Sequence, residues 1–144
     1  PREACEELLA QARQNSVPLA GFTTHDLQVI ETLVGHKIDV EYINLHRDVK
    51  KWINKFHYRS YRASGNRPEW TLEAISEWME LTVPSDYARG KTTKRINDVM
   101  QGLVVKEGVY NVLTPVQKAK ATKLIKHNKF DVEAIIYIYN KINC

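Results

Sequence analysis

The side chains best suited to a chemical task lie in residues 91–106, which read KTTKRINDVMQGLVVK. Within this stretch Lys94, Arg95, Asn97 and Gln101 combine cationic and amide groups. In the major groove of DNA arginine pairs with guanine and asparagine or glutamine with adenine, while lysine binds phosphate. The stretch therefore predicts contact with nucleic acid. The full set of candidate DNA contacts is Arg89, Lys91, Thr92, Thr93, Lys94, Arg95, Asn97, Gln101, Lys106 and Tyr110.

A second basic stretch, residues 46–67, interleaves cations with aromatic rings. Cations neutralise phosphates, and aromatic rings stack on unpaired bases. Trp52 and Phe56 are spaced i, i+4 and are predicted to be core residues, whereas Tyr58 and Tyr61 suit either role. The candidate contacts of this second patch are Lys50, Lys51, Lys55, Arg59, Tyr61, Arg62 and Arg67.

The remaining reactive residues do not form a catalytic pattern. The five histidines are not paired with one another, with cysteine or with an acid at metal-ligand spacing, and HExxH is absent. Glycines are scattered, so no phosphate-binding loop is predicted. We therefore expect no enzymatic activity, no metal and no cofactor.

The elements around residues 91–124 follow from local patterns. Ile96, Val99, Met100, Leu103 and Val104 have the spacing of one buried helix face, which predicts a helix over Thr92–Leu103. The β-branched residues after Gly102 predict a β-hairpin at Lys106–Leu113, with Glu107-Gly108 as its turn. Thr114-Pro115 predicts a new helix start. Upstream, Thr71–Leu81 predicts a further helix.

The run GLVVKEGVYNVLTPVQKAKATKLI, residues 102–125, resembles the corresponding run of MarR- and PadR-like winged helix-turn-helix proteins. The similarity covers residues 71–126, and the connection over Thr82–Gly90 is longer than in that family. The resemblance implies that Thr92–Leu103 is the recognition helix and that the hairpin is a wing.

Helical patterns also flank this region. Arg2–Gln14 and a segment from Thr23 or Thr24 to Leu33, ended by Gly35, predict two helices. Asp39 begins a longer pattern that reaches Arg62. Asp131 is the predicted N-cap of a C-terminal helix, Asp131–Ile142, which is apolar on nearly all sides. Such a helix needs a covering surface, which predicts a homodimer or another protein partner through residues 131–142.

Composition narrows the class of protein. The chain of 144 residues has a formal net charge of +4. Residues 1–41 hold 3 basic and 7 acidic residues, whereas residues 42–144 hold 18 basic and 10 acidic ones, which favours a polyanionic partner for the basic part. No apolar run suggests a membrane span. Two isolated cysteines suit a reducing, intracellular compartment, cytoplasmic or nuclear.

These observations predict a mainly α fold, a helical domain containing a winged-helix-like unit with one short β-hairpin. Residues 1–63 are expected to form an N-terminal helical part and residues 69–144 the winged-helix-like unit with the C-terminal helix, unless both parts form one compact domain. The expected function is nucleic-acid binding, with duplex DNA favoured over RNA, in a transcription regulator or a replication or recombination machine. The alternatives are a helical protein-interaction module, or RNA or single-strand binding through residues 46–67.

Overall fold

A computed structural model of the protein describes residues 2–63, 69–85, 91–106 and 108–144, and shows a mainly α fold. The predicted contacts Arg67 and Arg89 and the predicted turn residue Glu107 lie outside these residues, as do the side chains of Lys91 and Thr93. No helix in the described ranges combines the length and apolarity that crossing a membrane requires. The helices are α1 (Arg2–Asn15), α2 (Thr24–Val34), α3 (Leu45–Trp52), α4 (Tyr58–Ala63), α5 (Leu72–Trp78), α6 (Lys91–Val105) and α7 (Pro115–Asn143).

The N-terminal unit consists of α1, α2 and two short strands, β1 (Leu19–Gly21) and β2 (Tyr42–Asn44). The strands pair in parallel, with Leu19 opposite Tyr42. The sequence did not predict them, because three-residue strands have no measurable periodicity. The predicted ends of α2 are confirmed: Thr23 caps its start in a capping box, and Gly35 ends it at a φ of 84°. A small core of its own holds the unit together and comprises Leu9, Ala12, Leu19 and Val34.

The helix predicted from Asp39 begins instead at Leu45, so the predicted start is wrong. Residues 42–44 pair with β1, and the side chain of Asn44 then caps α3 by accepting a hydrogen bond from the backbone N–H of Arg47 at 3.0 Å. Between α3 and α4 the helix passes through a π-helical turn, Ile53–His57. The wider turn rotates Phe56 away from the core, and this residue is 60% exposed, which corrects its predicted burial.

The central core joins residues from both predicted parts of the chain. Leu45, Val49 and Ile53 of the α3 region pack with Ile75 of α5 and Ile138 of α7. The hydroxyl of Tyr137 donates a hydrogen bond of 2.8 Å to the carbonyl oxygen of Met79. The C-terminal half of α7 is therefore anchored against α3 and α5.

The N-terminal half of α7 packs against α6, around a third core formed by Val99, Leu113 and Ala121. We call α6, the junction after it and residues 115–129 the arm. Gly102 permits a close approach of the two helices, because a Cβ there would lie 2.3 Å from Nε2 of Gln117. Core residues of α5 and α6 belong to different clusters, so these two helices do not share a core as a helix-turn-helix pair would.

The predicted hairpin at residues 106–113 is wrong for the described residues. α6 continues to Val105, and Tyr110–Val112 form a 3-10 turn. Gly108 ends the helix at a φ of 81°, and its N–H donates to the carbonyl oxygen of Leu103 at 2.8 Å. With Gly108 in the left-handed conformation, a carbonyl group in the last turn of α6 keeps a hydrogen-bond partner. The β-branched residues after Gly102 therefore do not pair as strands.

The predicted helix break before Asp131 is also wrong, because α7 is continuous from its capping box at Thr114 to Asn143. The polar residues before Asp131, 117–129, include neither glycine nor proline, so nothing breaks the helix there. Oδ2 of Asp131 lies 3.4 Å from Nε2 of His127, one helical turn earlier. Ala134 and Ile138 are fully buried, whereas Val132, Ile136 and Tyr139 remain exposed. Association through residues 131–142 stays a prediction.

Candidate nucleic-acid interface

The second predicted patch forms a continuous ridge on the helix of residues 45–63. Lys51, Lys55 and Arg59 follow one another at four-residue steps, and all three are exposed. Val49, Ile53 and Tyr61 are buried on the opposite side of the same helix. We call Lys51, Lys55 and Arg59 the basic face.

The π-helical turn explains why these residues stay in line. In a regular α-helix, eight residues overshoot two full turns by roughly 80°. Ile53 and Tyr61 would then point in different directions, and so would Lys51 and Arg59. Because a π-helical turn contains more residues, it offsets this drift. The same irregularity therefore aligns the buried residues on one side and the cations on the other.

Two exposed aromatic rings flank the basic face. Phe56 follows Lys55 and is 60% exposed, while Tyr58 precedes Arg59 and is 46% exposed. The ammonium of Lys55 lies 4.8 Å from the ring centre of Phe56. Arg62 donates a hydrogen bond of 3.4 Å to the hydroxyl of Tyr58. Cations and accessible rings are thus adjacent, as a surface that binds phosphates and stacks bases requires.

Tyr61, predicted as a contact residue of this patch, is a core residue instead. Only 2% of it is exposed, and burial raises the pKa of its hydroxyl. Its ring packs edge-on against Trp78, with 5.1 Å between centroids. Lys50 is exposed but also engaged, because its ammonium lies 5.1 Å from the ring centre of Trp70. Among the described residues of the predicted patch, Tyr61 is the only one whose burial excludes it as a contact residue.

On α6 the predicted contact residues divide between two faces. Lys94, Asn97 and Gln101 are exposed, and Gln101 lines an open groove together with Gln117 and Lys120 of α7. Arg95 and Thr92 are half-buried, and Arg95 lies one turn before the buried Val99. Arg95 is therefore not on the open polar face where it was predicted. Lys106 and Tyr110 are exposed in the junction after α6.

The apolar stripe predicted to bury α6 is largely exposed. Ile96 is 44% exposed, Met100 54% and Val104 75%. The reason lies in the tertiary structure. Among the described helices, α7 is the only one that packs extensively against α6. A single partner helix covers Val99 and leaves the adjacent face open.

The N-terminal half of α7 carries five further lysines, which were missed by the sequence reasoning. They are Lys118, Lys120, Lys123, Lys126 and Lys129. Lys120 forms an ion pair with Asp98, which lowers the pKa of that carboxyl. The density of lysine in one helix was the available signal.

α7 packs against α3 at Ile138 and against α6 at Ala121. These two positions are roughly 25 Å apart along the axis of α7.

An acidic cleft of about 510 Å³ lies elsewhere, between β1, α5 and the middle of α7. Asp26, Glu73 and Asp131 line it. Burial raises the pKa of Asp131, Glu73 and Asp26 raise it further, and His127 opposes them. These carboxylates are far apart in sequence, so only the tertiary structure brings them together. Negative carboxylates repel phosphate, so the cleft is not part of the basic face.

Among the described residues, no group of three histidine, cysteine, aspartate or glutamate side chains is arranged to hold a metal ion. Comparisons with protein-family models, with curated proteins and with solved structures found no match.

Proposed function

We propose that this protein binds nucleic acid through the basic face of the helix that spans residues 45–63. The observation that carries the proposal is the alignment of Lys51, Lys55 and Arg59 on an exposed ridge between two exposed rings. Asp48 is the only acid in this helix, and it lies 3.2 Å from Arg47. The ridge is therefore strongly cationic.

Accessible rings favour unpaired strands over duplexes. In a duplex the bases are stacked on each other, whereas in a single strand they can stack on Phe56 and Tyr58. The spacing of the cations, about 6 Å for four residues of helix, lets each one reach a different phosphate of an extended strand. We therefore propose single-stranded RNA or DNA as the preferred ligand of this face.

The test is a salt titration of binding to a single strand, a duplex of the same sequence and an RNA. Replacing Lys51, Lys55 and Arg59 together by Gln should lower the salt slope on single strands by about 2, since each phosphate contact contributes about 0.7. Replacing Phe56 and Tyr58 by Ala should weaken single-strand binding by about 1–3 kcal/mol per stacked base and leave duplex binding almost unchanged.

A matched control has the same change in net charge. Replacing Lys123, Lys126 and Lys129 of α7 by Gln removes three cations from the arm and leaves the basic face intact. If this control loses binding while the variant of the basic face binds like the wild type, the interface is on the arm and the proposal fails.

A second candidate is duplex DNA binding by α6, on which Lys94, Asn97 and Gln101 are exposed side by side. Asparagine and glutamine can each make two hydrogen bonds to adenine in the major groove. Replacing Asn97 and Gln101 by Ala should then cost about 1–3 kcal/mol per lost contact at a preferred site and little at other sites. An equal loss on all duplexes would contradict base reading by α6.

A further inference from the structure

The end of the arm carries an exposed apolar surface that is separate from the basic face. It lies in the junction between α6 and α7, residues 104–116, and every member is at least 45% exposed. We call it the apolar tip. It consists of Val104, Val105, Val109, Tyr110, Val112 and Val116.

Hydrogen bonds hold the backbone of the described residues of the junction, 104–106 and 108–116, so the residues of the apolar tip have a defined arrangement. Gly108 N–H donates to Leu103, and Leu113 N–H donates to Tyr110 at 3.1 Å. The ammonium of Lys118 donates to the carbonyl oxygen of Asn111 at 2.6 Å. A concentration of large apolar side chains on an ordered surface is typical of a protein contact.

The arm that carries the apolar tip is positively charged. Residues 91–130 contain 9 basic and 2 acidic residues. Lys106, next to the tip, is exposed, while Asp98 is already paired with Lys120. A symmetric contact between two tips would therefore bring like charges together, which is unfavourable. The surface that complements the tip is apolar and acidic.

The N-terminal unit of the same protein has that chemistry. Its three cations are each paired with an acid: Arg2 with Glu6, Arg13 with Asp39 and Lys37 with Glu31. In the described part of this unit, Glu3, Glu7, Asp26 and Glu41 have no such cationic partner, which leaves a negative surface. Leu8 and Val29, each 42% exposed, and Leu33, 37% exposed, lie on its helices.

We propose that the apolar tip of one molecule docks on the α1–α2 surface of a second copy, with Leu8 and Val29 at the contact and Glu3 and Glu7 facing the lysines of the arm. The two contacting surfaces differ, so the association is head-to-tail and each added molecule presents a new tip. Such an assembly grows as an open chain, or closes into a ring when the rotation between neighbours closes, and it weakens as salt screens the charges.

The test is sedimentation of the full chain without nucleic acid over a range of concentrations. For the wild type we expect a mass that rises with concentration and falls at high salt. Replacing Val104 and Val112 by Ser should weaken association at least tenfold, and so should replacing Leu8 and Val29 by Ser.

Mixing these two variants is the decisive measurement. Each retains one intact surface, so together they should form a 1:1 complex that grows no further. A variant that had unfolded could not restore the complex, so restoration also reports folding. If both variants are folded by circular dichroism and the mixture stays monomeric, the proposal is wrong.

The competing surface is the exposed face of α7. Replacing Val132 and Ile136 by Ser is the matched control and should leave association unchanged. Loss of association in this variant, or a wild type that is monomeric at every concentration, would overturn the contact between the tip and the α1–α2 surface.

Discussion

The hydroxyl of Tyr61 donates a hydrogen bond of 2.5 Å to the carbonyl oxygen of Glu69, which ties α4 to the segment before α5. The same ring lies 4.9 Å from that of Trp70. This bond explains why an aromatic residue in a basic stretch is structural, whereas Tyr58, three residues earlier, is exposed. The two tyrosines can therefore be separated by experiment.

Tyr61→Phe should lower the free energy of unfolding by about 0.5–1.5 kcal/mol, because it removes a partly buried hydrogen bond and keeps the ring. Binding of nucleic acid should not change. Tyr58→Ala is the matched control, with an effect on stability within about 0.5 kcal/mol and weaker single-strand binding. Urea unfolding and a binding titration measure both. Weaker binding by Tyr61→Phe at unchanged stability would contradict the structural role.

Gly108→Val should cost about 1–2 kcal/mol of stability, because the φ of 81° is strained for a residue with a branched side chain. Space is not the cause, since nothing lies within 4 Å of a Cβ built there. Gly108→Asn should cost clearly less, because asparagine tolerates the left-handed region. Equal melting temperatures for the wild type and both variants would show that this conformation does not limit stability.

Asp131→Asn should stabilise the protein near neutral pH. The folded protein holds the Asp131 proton more tightly than the unfolded chain, because burial, Glu73 and Asp26 raise its pKa against the effect of His127. The carboxyl therefore stabilises the fold below its unfolded pKa, and this contribution is lost as the pH rises through the folded pKa. The gain from the substitution should grow with pH, from the ordinary aspartate value of about 3.9 upward.

The measurement for Asp131→Asn is urea unfolding at a series of pH values. Glu133→Gln is the control, because Glu133 is exposed two residues away on the same helix and should show no such gain. A variant that becomes less stable than the wild type as the pH rises would mean that the ion pair with His127 outweighs burial.

Asp98→Asn should have the opposite pH dependence. The hydrogen bond from Lys120 lowers the pKa of Asp98, so this carboxyl stabilises the fold above its unfolded pKa and the contribution is lost as the pH falls. The variant should be less stable than the wild type at pH 7 and similar to it in strong acid. In a Lys120→Met background, Asp98→Asn should have little further effect on stability. If it lowers stability there as much as it does in the wild type, Lys120 is not the partner that stabilises Asp98.

Local chemistry alone determined several helix ends. Thr23 and Gly35 bound α2, Thr71 caps α5, and Thr114-Pro115 begin α7. A cap needs only a side chain and a backbone within a few residues, so its signal is complete in the sequence. The same holds for the exposure of Lys51, Lys55 and Arg59, because charged groups remain solvated unless they are paired.

The tertiary structure decided which apolar residues are buried and which separated residues meet. Met100 and Val104 have the pattern of a core stripe, yet they are exposed because, in the part of the chain that the structure describes, α7 alone covers α6. β2 exists because β1, more than twenty residues upstream, pairs with it. Burial and strand pairing depend on partners distant in the chain, and a local pattern shows that a surface is apolar without showing what covers it.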